Sequence, residues 1–204
     1  MSAPLTLPTV MLSELEAAYA TPLRAYHNFG HVQEVLHRFA EVTVGPGWTQ
    51  PVEVYLAVLY HDAIYEAGRK DNEARSAELA MAQITRFLPE SGIDTLRVAE
   101  LIGLTARHGQ FSPVDFGDDG FSLDTRHFLD CDMAILGAEA DVFDAYDTGI
   151  AEEYRGHVPG FLFRLNRKRF LKGLLARERI YLSDWFHQRY DAAARANLRR
   201  AIAG

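Results

Sequence analysis

The sequence predicts an all-α, single-domain helical bundle. Apolar residues recur at three- and four-residue spacing along almost the whole chain, the signature of helices that bury one face. No segment of useful length alternates apolar and polar residues, and no long linker, internal repeat or low-complexity stretch interrupts the 204 residues. That length suits one core, and 48% hydrophobic with 24% charged residues is ordinary for a folded globular chain.

The helices follow from punctuation. A short first helix is expected near residues 10–20. A second runs from about Asn28 to Val44 and is broken by Gly45-Pro46-Gly47. A third starts at Pro51, a favoured first-turn residue, and is expected to reach Glu66 before Gly68. Asp71 or Asn72 caps a fourth, which ends at Pro89. A fifth spans Asp94 to His108. Residues 110–122 read as a loop, and further helices are expected near 124–136, 138–155, 161–176 and 184–202.

Composition excludes several classes. The single cysteine, Cys131, leaves no intramolecular disulfide and no Cys-rich zinc module. The longest apolar run, Val54 to Tyr60, is too short for a membrane span. The N-terminal segment lacks a secretion-signal pattern, so a cytoplasmic location is the expectation. The net charge of -7 divides unevenly. Residues 1–150 hold 23 acidic and 9 basic residues, whereas residues 151–204 hold 5 and 12. The acidic part argues against nucleic-acid binding, and the basic cluster Arg164, Arg167, Lys168, Arg169 and Lys172 reads by default as a solvated helix surface.

The informative feature is polar residues on apolar stripes. In the expected third helix, the stripe of Val54, Ala57 and Val58 continues to His61, Asp62 and Tyr65. His31 lies one turn before Val35, and His27 one turn earlier. Val98, Leu101, Ile102 and Thr105 lead to His108. Asp132 shares a face with Phe128, Ile135 and Leu136, whereas Asp130 points elsewhere and His127 outward. Taken singly, an inward His is often a hydrogen-bonded core residue and a buried Asp often a cap. Together, two carboxylates on buried faces need compensating charge, and no Lys or Arg shares their stripes. A divalent cation would supply it, with His31, His61, Asp62 and Asp132 as a mixed N/O ligand set.

The order His31, His61-Asp62, Asp132 resembles the HD superfamily of metal-dependent phosphohydrolases. The wider text is similar to one bacterial branch of predicted members: Tyr26-His27-Asn28-Phe29-Gly30-His31, Tyr60-His61-Asp62-Ala63-Ile64-Tyr65, Asn72-Glu73 with Ser76-Ala77, Asp130-Cys131-Asp132, and Glu152-Glu153-Tyr154. The resemblance covers roughly residues 20–200 and implies one HD-type domain over 1–204, with a motif core about 24–137 and C-terminal helices about 138–204. It implies one divalent metal ion (Mn, Fe, Co, Ni, Mg or Zn) held by those four residues, with His27 beside them. The implied reaction is hydrolysis of a nucleotide or other small phosphate ester by metal-activated water. Glu66 and Glu73 are candidates to handle water and protons, beside Asp62. Arg24, His27 and His108 are candidates to contact substrate, although Arg24 also reads as a surface residue. A non-catalytic metal- or nucleotide-binding regulator is the alternative, with a di-iron oxygenase behind it. The partner expected is a small phosphorylated molecule rather than a membrane or nucleic acid, and homodimerisation is compatible with the sequence.

Overall fold

The computed structural model describes residues 3–204. Among these residues nine α-helices follow one another: α1 (Thr9–Ala20), α2 (Phe29–Val44), α3 (Pro51–Tyr60), α4 (Asn72–Phe87), α5 (Thr95–Thr105), α6 (Gly120–Met133), α7 (Ala140–Glu153), α8 (Gly160–Leu175) and α9 (Asp184–Ala203). Short 3₁₀ turns occupy His108–Gln110, Pro113–Asp115 and Ala134–Gly137, and no strand occurs among the described residues. Among the described residues no helix is long and apolar enough to cross a membrane.

The helix starts obey local chemistry. Asn28, Asp94, Asp119 and Ser183 each accept a backbone N–H of the first turn they precede, satisfying donors that a helix leaves unpaired. Pro51 opens α3. Residue 71 is the cap position of α4, but the Asp71 carboxylate pairs with Arg69 instead of capping. Asn72 turns back to donate to the Glu66 carbonyl and accept from its N–H.

The expected third helix is corrected. It stops at Tyr60, six residues short of Glu66, so His61 and Asp62 lie in the turn that follows. The reason lies elsewhere in the chain. The carbonyls of Asp62 and Ala63 accept from the Arg24 guanidinium, at 2.6 and 2.9 Å, instead of from residues one turn ahead. The Ile64 N–H donates to Ser76 Oγ, and the Glu66 N–H to Asn72. The helical ladder is thus replaced by side chains from two other segments. Similarly, α5 ends at Thr105 and leaves His108 in the turn that follows, while α6 starts four residues earlier than expected.

α3 is buried on every side from Leu56 to Tyr60 and forms the axis of the bundle. α2, α4, α5 and α6 pack around it, and α9 closes against the Ala134–Gly137 turn and α8. One apolar core runs from Met11 in α1 to Leu198 in α9. Polar side chains stitch the C-terminal segment to α6 and the turn after it: Asn197 donates to the Leu136 and Ala138 carbonyls, and Asp130 accepts from Leu182 and Ser183. Asp130 is therefore buried, not exposed as its angular position predicts. His127 is buried too, against Trp48 and Phe186, rather than facing outward.

Candidate metal centre

Three elements converge at the end of α3. His31 comes from the first turn of α2, His61 and Asp62 from the turn after α3, and Asp132 from the last turn of α6. His31 Nε2 and His61 Nε2 face one another at 3.1 Å. Asp62 Oδ2 lies 3.2 Å from His61 Nε2 and 3.6 Å from His31 Nε2. Asp132 Oδ1 lies 3.2 Å from His31 Nε2 and 3.6 Å from His61 Nε2.

The separations among His31, His61 and Asp62 suit a shared cation, and Asp132 lies outside that group although its Oδ1 approaches both imidazoles. Ligand atoms about 2.1 Å from one ion stand about 3.0 Å apart at right angles and about 3.4 Å apart in a tetrahedron. The tautomer of His61 also fits. Its Nδ1 is 2.9 Å from the Val58 carbonyl, which can only accept, so Nδ1 carries a proton; burial opposes a second proton on the ring, but Asp62 and Asp132 favour it, and a metal ion would displace that proton to reach the Nε2 lone pair. His31 Nδ1 is buried without a hydrogen-bond partner. The His31, His61 and Asp62 group could hold a metal ion.

Charge reinforces the arrangement. Burial opposes ionisation of Asp62, but the positive field of His61, His27 and His31 prevails and holds its carboxyl below the usual range. Burial likewise opposes ionisation of Asp132, and His108, His31 and His61 overcome it. The cluster is built to keep two carboxylates ionised in a nearly dry place.

Asp62, Asp132 and His108 lie at the floor of a cleft of about 310 Å³. His108 Nδ1 approaches Asp132 Oδ2 to 2.6 Å. His27 lies at the rim, stacked on Tyr65 with ring centroids 4.0 Å apart. Its Nδ1 is 2.6 Å from Glu153, which also accepts the backbone N–H groups of Tyr26 and His27. Glu73 lines the cleft from the start of α4.

Two expected site residues are elsewhere. Glu66 is exposed and ion-paired with Arg75 at 2.7 Å, outside the cleft, because the chain turns away once α3 has ended. Arg24 is not a surface residue and does not line the cleft. It is buried, and its guanidinium donates to the carbonyls of Ala18, His27, Asp62 and Ala63.

Sequence reasoning missed Glu153, which the resemblance quotes without a role. It also left Arg167 in a solvated cluster, whereas this side chain lies in the cleft wall. It is bonded to Asp147 and stacked over Tyr146 and Phe170. The signal was present: Arg167, Leu171 and Leu174 share one helical face, and both leucines are buried.

No family model, curated protein or solved structure matches the chain.

Proposed function

We propose that the chain is a metal-dependent phosphohydrolase acting on a small phosphate ester, with nucleotides among the candidates. The observation that carries this reading is the approach of His31, His61, Asp62 and Asp132 donor atoms to 3.1–3.6 Å of one another's imidazole nitrogens beneath an open cleft whose wall includes Arg167. Asp132 is the fourth ligand in this reading. When bound, a divalent cation lowers the pKa of water and polarises a phosphoryl oxygen.

The chain's own residues supply the rest. Arg167 faces the cleft and offers N–H donors to phosphate oxygens. Tyr65, Tyr146, Tyr154 and Phe170 give the walls aromatic surface against which the organic part of an ester packs. Glu73 and His108 stand at the cleft as proton-handling groups. Glu153 orients His27 through its Nδ1 and leaves Nε2 as the other ring donor or acceptor.

The test is turnover of a phosphate-ester panel with Mn²⁺, Mg²⁺, Co²⁺, Ni²⁺, Fe²⁺ or Zn²⁺ added, alongside metal analysis. Metal-dependent release of phosphate, lost in Asp62→Ala, supports the reading. Stoichiometric metal without turnover of any ester overturns it in favour of a binding protein.

A further inference from the structure

A second cavity of about 410 Å³ adjoins the cleft at His108, between residues 106–110 and α8. The two cavities share Ala106, His108 and Phe170. Arg107, Arg169 and Arg177 line the second cavity, and no carboxylate does. Most arginines of this acidic chain are ion-paired, but among the described residues these three pair with no Asp or Glu. Two are held in place by other means. Arg177 donates to the Gly109 carbonyl at 3.0 Å and to the Phe111 carbonyl, and Arg107 lies over the Phe111 ring.

The glycines supply an independent observation. A Cβ at Gly109 would lie 3.1 Å from the Phe170 ring and 3.4 Å from Leu174, so α8 packs directly on that backbone and fixes the cavity wall. A Cβ at Gly173 would meet nothing within 4 Å. Gly173 lies inside α8, where glycine costs about 1 kcal/mol relative to alanine, and it faces the cavity. A side chain there would take up part of the cavity.

We infer that this arginine-lined cavity is an anion subsite for a phosphate group. Combined with the phosphohydrolase reading, on which this extension rests, the substrate is a small molecule carrying two phosphates. One is placed at the His31, His61, Asp62 and Asp132 donors and the other among Arg107, Arg169 and Arg177. Guanidinium groups suit this role because their planar N–H forks match phosphate oxygens.

Two measurements on the full chain separate the subsite from the hydrolase reading. The first is calorimetric titration of inorganic pyrophosphate into protein in EDTA, where Asp62 and Asp132 repel anions, with sulfate at equal ionic strength as the background. Binding above that background is expected, weakened at least tenfold in Gly173→Leu, which takes up part of the cavity without changing charge, and in Arg107→Gln/Arg169→Gln. Binding no tighter than sulfate, or equal in all three proteins, would overturn the subsite. The second compares adenosine 3′,5′-bisphosphate with adenosine 5′-phosphate as substrates in the presence of metal. The kcat/KM ratio of bisphosphate to monophosphate is expected to fall at least tenfold in both variants. An unchanged ratio overturns the two-phosphate substrate. Absence of turnover of both nucleotides and of the phosphate-ester panel, with retained, variant-sensitive pyrophosphate binding, overturns the hydrolase reading and leaves the subsite standing.

Discussion

Asp130 and Asp132 stand two residues apart on α6, and their carboxylates meet opposite surroundings. Asp132 faces three imidazoles, whereas Asp130 accepts from the Leu182 and Ser183 N–H groups and the Ser183 hydroxyl. Asp130→Ala is expected to lower unfolding free energy by about 1–3 kcal/mol, since buried backbone donors lose their acceptor. Urea denaturation measures this. Asp132→Asn is expected to weaken metal binding, read by titration. The helical-face argument selected Asp132 but misjudged Asp130, because α6 is buried from His127 through Met133 and angle no longer separates inside from outside. His127 was misread for the same reason. Burial, aided by Arg126, depresses its pKa to about 4. The unfolded chain therefore takes up this proton near pH 6.5 and the folded chain only near pH 4. Stability is expected to fall as pH drops through that window, by up to about 3 kcal/mol, and to level off below it. His127→Phe should remove that part of the slope. Urea midpoints from pH 7 to 4 for both proteins provide the comparison, and identical slopes would refute it.

At the scale of elements, most helix starts were legible because a cap acts over two or three residues. The Asn28, Asp94 and Ser183 caps are of this local kind. The end of α3 was not legible, since it depends on Arg24, Asn72 and Ser76, which lie 10 or more residues away in the chain. A periodic apolar pattern says nothing about which carbonyls a distant guanidinium will claim. Arg24→Lys is expected to cost about 1–3 kcal/mol, because an ammonium cannot fork to carbonyls on both sides as the guanidinium does. It should also loosen Asp62, whose backbone carbonyl Arg24 holds. Thermal unfolding with and without added metal checks both effects, and a variant matching the parent in both would show that Arg24 does not fix the turn.

At the scale of the whole molecule, the donor residues come from α2, the turn after α3, and α6. A cation bound there would tie these elements together. A divalent cation at about 100 times its dissociation constant adds about 2.7 kcal/mol. For a chain of this size that raises the melting midpoint by about 5–10 °C. Asp62→Ala should abolish the rise, and equal rises in parent and variant would refute Asp62 as a ligand. The all-helical, single-core architecture was readable from pattern alone. The joining of the basic C-terminal helices to the acidic site was not, since only the folded chain brings Arg167 and Phe170 beside Asp132.

The contact between Glu153 and the Tyr26-His27 segment spans 126 residues and closes the rim of the site from the last turn of α7. Glu153→Ala should speed hydrogen exchange at the Tyr26 and His27 amides, which lose their acceptor, while the α3 core stays protected. Unchanged exchange there would mean that the contact does not hold the rim. Translation runs from the N-terminus, so His31, His61, Asp62 and Asp132 all leave the ribosome before Glu153 does. The donors are thus complete before the latch exists, and a nascent chain acquires its finished rim only after α7 has emerged.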